Sequence, residues 1–454
     1  MKQRLEIKNF GPVREVNLDI DDYMVFIGPN AAGKSTIAKL VYFFRSFGFD
    51  YNDILTLDSA NDNYYAVIFE FVEQIIQERF SSFWDIESLQ DDFTVSFYPA
   101  YDEKDSEHLF ICLKKSSANL SIEWSKRFKN IINEQIDHDH KNFLEKNKER
   151  LFLEGFVVNI PRIFNDYFRS NDEYCFIPAG RQILSLPTDN MPLFNDGRFD
   201  YLLGDFMSLV KENKPSFNVF IDEFEKQISK KYWKGKMVRN KNRKTNYLNT
   251  NYLKVNNETF DLTHQLIDKI LKGKYISTRE GERIYLNEKQ FVKLYEASSG
   301  QQEVLWILNI ILLLILVSED SSPENKNKNI TIIEEPETHL FPETQRDITN
   351  LISLLANRKN QQVIITTHSP YILTALNNLL YAHKLGQKKP EETAAKINPL
   401  LWIDDNRLAV YMVENGTIRN IIDHELEMIS TEEIDYVSRI INGEFDDLFD
   451  LKYS

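Results

Sequence analysis

The chain has 454 residues, 42% of them apolar and 13% aromatic, a makeup that excludes a mainly disordered protein. Fifty-four basic residues against 69 acidic ones give a net charge of −15, so a nucleic-acid surface has to be a local patch. Two cysteines, Cys112 and Cys175, exclude a disulfide framework and fit a reduced compartment. At roughly 150 residues per domain the length predicts about three domains. The start, MKQRLEIKNFGP, has no apolar core of a secretory signal. The longest apolar run, Val304 to Val317, is 14 residues long and contains Asn309, short of the ~20 a membrane span needs. The expectation is a soluble cytoplasmic protein without membrane contact.

The chain opens with two period-two segments, Leu5 to Lys8 and Val16 to Ile20, separated by Gly11-Pro12, which predict a small sheet. Tyr23 to Ile27 is continuously apolar, as for a buried parallel strand. It leads into Gly28-Pro29-Asn30-Ala31-Ala32-Gly33-Lys34-Ser35-Thr36, and a helical pattern follows from Ile37 to Phe44. Residues 50 to 290 mix strand-like runs (Phe93 to Tyr98, Leu109 to Leu113) with a charged stretch, Ile122 to Leu153, read as a short helical hairpin. From Glu296 the pattern is α/β again: an apolar helix after Ser298-Ser299-Gly300, a strand at Ile330 to Ile333, a helix at Thr344 to Leu355 and a strand at Val363 to Ile365. Asn415-Gly416 predicts a tight turn between Leu408–Val413 and Ile418–Ile422. The two ends read as halves of one α/β domain: an N-terminal lobe over 1–100 and a C-terminal lobe over 291–454, with an inserted, mainly helical and basic region over 101–290.

Gly28-x-x-x-x-Gly33-Lys34-Ser35 is a P-loop. Its glycines let backbone N–H groups converge on a phosphate, and the following helix offers its positive end to the same anion. Lys34 adds a point charge, and Ser35 is placed for Mg²⁺. Ile330 to Ile333 ends in Glu334-Glu335, two carboxylates that need a cation, water or solvent after a buried strand. Glu334 suits a Mg²⁺ shell; Glu335 suits polarising the water that attacks the γ-phosphate. Ser298-Ser299-Gly300-Gln301-Gln302 at a helix start offers a second phosphate contact, although an ordinary serine cap explains it as well. His368, after Val363 to Thr367, falls where it can reach a γ-phosphate oxygen, or it is structural. His138 and His140 lie in a charged segment without nearby cysteine and read as solvated helix residues.

Together these segments resemble the ABC-type ATPase heads of the SMC, RecF and OLD families. The resemblance implies a P-loop NTPase with a mixed sheet and antiparallel N-terminal strands. Gly28 to Thr36 is similar to Walker A, Ile330 to Glu335 to Walker B, Ser298 to Gln302 to the signature motif, Pro336 to Leu340 to a D-loop and His368 to the switch histidine. It implies that Ser299, Gly300 and Gln301 touch nucleotide bound by another copy, that Glu335 and His368 are catalytic, that Ser35 and Glu334 hold Mg²⁺, and that the copies close as ATP-sandwich dimers or higher oligomers. The position of the Q-loop is left open, with Gln74 and Gln77 as the candidates for its glutamine. Ile7 to Pro12, Phe176 to Arg181 and the Asn415-Gly416 hairpin are similar to the stand-alone ATPase of Septu-type anti-phage operons. That implies a switch acting on a separate nuclease of HNH type. With 86 residues after His368, neither a TOPRIM nuclease nor long coiled-coil arms fit, so no intrinsic nuclease is expected. The rival expectations are a RecF-like DNA-repair ATPase and a nucleotide-gated scaffold with negligible turnover.

Residues 230 to 244 hold eight cations and no acid, with Tyr232 and Trp233 among them. This reads as a surface for nucleic-acid phosphates, or as a solvated loop or a dock for an acidic protein. Arg181, after an apolar strand, reads either as a phosphate or interface residue or as structural.

Overall fold

The computed structural model describes residues 2–48, 54–57, 63–105, 107–116, 119–146, 156–168, 172–185, 202–210, 257–278, 281–287, 289–318, 328–423, 425, 426, 428–430 and 442–451. In chain order these form β1 (Lys2–Phe10), β2 (Val13–Ile20), β3 (Tyr23–Ile27), α1 (Lys34–Arg45), β4 (Ile54–Leu57) and α2 (Tyr64–Phe83). Then come β5 (Thr94–Tyr101), β6 (Leu109–Ser116), β7 (Asn119–Trp124), α3 (Lys126–Lys146), β8 (Phe156–Asn159), α4 (Ile160–Phe168) and β9 (Glu173–Ile177). The rest includes α5 (Asn257–Leu271), β10 (Lys274–Thr278), β11 (Gly281–Tyr285), β12 (Phe291–Lys293), α6 (Ser299–Ser318), β13 (Asn329–Glu334), α7 (Pro342–Ala356), β14 (Gln361–Thr367), α8 (Pro370–Gly386), β15 (Leu408–Glu414) and β16 (Thr417–Asn420).

The chain divides into two units that interleave its two ends. The first contains residues 1–21, 28–174 and 413–419; the second contains 22–27, 175–412 and 420–454.

The first unit is built on an antiparallel sheet of order β2-β1-β5-β6-β7. The alternation in β1 and β2 pairs like with like, Leu5 opposite Leu18 and Ile7 opposite Val16, all four buried. Phe10, Phe43, Phe80, Trp84 and Phe93 pack largely edge to face against this sheet and its helices. The charged stretch expected as a helical hairpin is instead a strand, β7, followed by the single helix α3; residues 147–155 lie outside the described set. Alternation through Leu120, Ile122 and Trp124 makes the strand.

The core of the second unit is a sheet in which β15, β3, β14, β13 and β9 lie side by side. β13, β14, β3 and β15 run parallel, with Ile333 opposite Ile365, Ile365 opposite Val25, and Val25 opposite Val410. Every residue of β3 and β14 is buried, as expected for β3, which has no polar alternation, while β14 also buries Gln361, Gln362, Thr366 and Thr367 around its apolar centre. α6 is apolar on all faces, and Val304 through Leu316 are buried. One helix, Ser299 to Leu316, is long and apolar enough to cross a membrane, but 78% of it is buried inside this core. The middle of the chain is woven into both units, because β5, β6 and β7 extend the first sheet and β9 edges the second.

Candidate nucleotide site

Two sets of residues carry candidate chemistry, one in each unit. The first is the loop after β3. The φ angles of Ala31 and Gly33 are 59° and 106°, so the chain coils tightly there. A Cβ on Gly28 would lie 2.1 Å from the Val413 carbonyl oxygen, and one on Gly33 would lie 2.9 Å from Val13 Cγ2. Glycine is required at both places by the floor beneath the loop. That floor is built from the two turns seen in the sequence: Gly416 O accepts from the N–H groups of Arg14 and Glu15 at 2.7 and 3.1 Å. Lys34 is 5% exposed, and its Nζ donates to the carbonyl oxygens of Gly28 and Pro29 at 3.0 and 2.9 Å. No side chain caps the N-terminus of α1, and its first turn holds no acid. The positive end of that helix is therefore open to an anion. Pro29, Asn30 and Ala31 are exposed, while Ala32, Ser35 and Thr36 are half-buried.

The second set gathers at the ends of β13 and β14 in the second unit. Strands in register end together: Glu334 pairs with Thr366, and Thr367 pairs with Ile27. Glu334 is 5% exposed; its Oε2 accepts from the Ala179 N–H at 3.2 Å, while its Oε1 is buried with no hydrogen-bond partner. Glu335 takes a left-handed φ of 43° while its N–H donates to the Thr366 carbonyl at 2.9 Å. That backbone turn aims its carboxylate at His368, whose Nε2 lies 3.2 Å from Glu335 Oε1. Glu337 Oε1 accepts from the Thr367 hydroxyl at 2.7 Å and the His368 N–H at 2.6 Å, and so ties the segment after β13 to the one after β14. Burial pushes the Glu337 carboxyl above its ordinary value.

Arg181 holds this cluster from beneath. It is wholly buried, and its guanidinium donates to the carbonyl oxygens of Pro178, Glu334, Glu335 and Glu303 at 2.7, 2.7, 3.0 and 3.2 Å. Its Nε lies 3.4 Å from the buried Glu303 carboxylate. Desolvation lowers its pKa, against the pull of Glu303, Glu337, Glu334 and Glu335. Glu303, Glu337 and Arg181 thus form a support layer; of the two readings of Arg181, its buried contacts match the structural one, and Glu303 has no reading from the sequence.

The Ser298 to Gln302 segment begins α6 in the second unit. Ser298 and Gln301 form a reciprocal cap: Ser298 Oγ accepts from the Gln301 N–H at 3.3 Å, and Gln301 Oε1 accepts from the Ser298 N–H at 3.3 Å. Gln301 Nε2 donates to the Leu271 carbonyl at 2.9 Å, so this side chain is engaged within the unit. Ser299 is exposed, and a Cβ on Gly300 would lie 2.7 Å from the His339 carbonyl oxygen. Gln74 donates to Glu78, and Gln77 donates to the Leu120 carbonyl. His138 and His140 lie on α3, and no metal-holding group of three or more His, Cys, Asp or Glu occurs among the described residues. The basic stretch 230 to 244 lies outside the described residues.

A family model described as "AAA ATPase domain" matches residues 1–373. The chain belongs to this family. The AAA ATPase domain is a P-loop ATPase of mixed α/β type, with the antiparallel N-terminal sheet described above. No curated protein matches the chain. Among solved structures it is similar to an SMC head bound to the C-winged-helix domain of ScpA, at 13% identity and a TM-score of 0.38, over 92% of this chain and 96% of that one. An SMC head domain from Thermotoga maritima is similar at 14% identity and a TM-score of 0.33, over 92% and 98%. A third, from Pyrococcus furiosus, is an Smc head with an extended coiled coil bound to the C-terminal domain of ScpA; it is similar at 12% identity and a TM-score of 0.33, over 97% and 99%.

Proposed function

We propose that this AAA ATPase domain is a nucleotide-driven switch whose copies share ATP, and that it controls a separate effector. The observation that carries the reading is the Glu335–His368 pair, a carboxylate presented on a strained backbone turn with an imidazole at 3.2 Å. In this reading the loop Gly28, Pro29, Asn30, Ala31, Ala32, Gly33, Lys34, Ser35 and Thr36 cradles the phosphates. Glu335 accepts the proton of the attacking water. His368 steadies Glu335 and senses the γ-phosphate. Ser299 and Gly300 contact the nucleotide held by another copy, and Gln301 acts through the cap that positions them. Exposure of Ser299 and the tight seat of Gly300 on His339 support that part.

Magnesium fits the residues present. Glu334 Oε1 is a buried oxygen without a donor, which a hard cation or its water shell would satisfy. Ser35 and Glu334 would hold the ion. When bound, it neutralises charge on the β- and γ-phosphates. The effector we infer is a nuclease of HNH type in anti-phage defence, with the basic stretch 230 to 244 as a nucleic-acid contact. A RecF-like repair role is the alternative that DNA-stimulated turnover of the isolated protein would favour.

Glu335→Gln and Lys34→Ala test the assignment. The first should retain ATP, accumulate as a closed assembly in sedimentation and hydrolyse at least ~100-fold more slowly. The second should lose ~10- to 100-fold in nucleotide affinity. Wild-type phosphate release by Glu335→Gln would overturn the reading.

A further inference from the structure

Asn309 is the polar residue that interrupts the apolar run of α6. In the second unit it is 6% exposed, and its Nδ2 has no hydrogen-bond partner. It lines a cavity of about 320 Å³ bounded by α5, β10 and α6. Leu271, Leu305 and Leu308 make the walls apolar, and Asp261 and Asp268 stand at the exposed rim against a single ammonium, that of Lys274. We propose that this cavity binds a small apolar molecule bearing a carboxamide and a cationic group.

Three features define that ligand. The leucine walls require an apolar body, and the volume suits a small organic molecule. The unpaired Asn309 Nδ2 calls for a hydrogen-bond acceptor. A ligand carboxamide offers both an acceptor and a donor, and so pairs with Asn309 whichever way its amide is turned. The two carboxylates at the rim favour a positive charge at the outer end. Leucine has the same branching and no polar atoms and would spare the fold the cost of burying an unpaired Nδ2, so that atom points to a ligand.

Saturation-transfer NMR on the full chain tests this with L-phenylalaninamide as the probe, and with toluene and phenylacetate as controls. Phenylalaninamide should bind, and its affinity should fall at least about fivefold in Asn309→Leu and in Asp268→Asn. Toluene should bind more weakly, and phenylacetate, with the wrong charge, should not compete. Thermal unfolding of both variants checks that they fold; Asp268 is exposed, so its variant serves if Asn309→Leu repacks α6. No binding of phenylalaninamide, as when water alone serves Asn309, overturns the proposal. So does binding undiminished in the folded variants, or toluene binding as tightly as the amide.

Discussion

The Arg181 guanidinium donates to the backbone carbonyls of two consecutive residues, Glu334 and Glu335, at 2.7 and 3.0 Å. One buried side chain therefore sets the direction of the chain where β13 ends and both candidate carboxylates emerge.

Arg181→Met should be strongly destabilising. It leaves the Glu303 carboxylate, 1% exposed, without its charge partner, a loss of about 3–5 kcal/mol. Urea denaturation measures it, and a loss below ~1 kcal/mol would show that the pair is dispensable. Arg181→Lys keeps the charge but not the planar fork. It should fold, with ATP hydrolysis reduced at least ~10-fold.

Glu335 occupies a left-handed backbone position that costs an ordinary residue about 1–2 kcal/mol. Glu335→Gly and Glu335→Ala both delete the carboxylate, and both should lose hydrolysis. The glycine variant should be the more stable of the two by about 1 kcal/mol. Equal midpoints in thermal unfolding would mean that the turn carries no strain.

Gly300→Ala would bring a methyl group to within 2.7 Å of the His339 carbonyl oxygen, a backbone atom that cannot swing away. His339 itself has a φ of 59° in the turn after Glu337. The variant should fold with a loss of about 1–3 kcal/mol and reduced ATP turnover. A wild-type melting temperature and turnover together would remove Gly300 from the site.

Glu337 gives a pH dependence. Its carboxyl is raised by burial, so the folded state holds the proton more tightly than the unfolded chain does. Its contribution to stability is therefore full at low pH and is lost as pH rises from the ordinary glutamate value through the raised one. Glu337→Gln does not titrate. Its stability relative to wild type should improve between pH 4 and pH 7, as measured by urea midpoints. A difference independent of pH would show that the carboxyl does not titrate differently on folding.

Much of the fold is legible in the sequence because its segments obey one period each. Uniformly apolar Tyr23–Ile27 and the apolar run Val363–Ile365 read as buried strands, and Leu5 and Ile7 alternate cleanly. The P-loop and the Glu334-Glu335 pair stand out because their residue types sit at spacings that ordinary loops do not need. The support layer does not stand out. Arg181, Glu303 and Glu337 are 122 and 34 residues apart in sequence and meet only through the fold. A buried arginine looks like any arginine until its neighbours are known. The Ile122 to Leu153 stretch misled because its charges resemble a solvated helix throughout, whereas alternation at its start decides for β7.

β3 lies between β14 and β15, so its neighbours are made long after it. Met24 pairs with Ala409, 385 residues downstream. At roughly 5–20 residues per second, synthesis of that interval takes about 20–80 s. Until β14 is made, 340 residues after Met24, the nascent strand has neither parallel partner to cover its five apolar side chains. Production of this protein thus depends on keeping Tyr23–Ile27 from sticking elsewhere until β14 and β15 have been made.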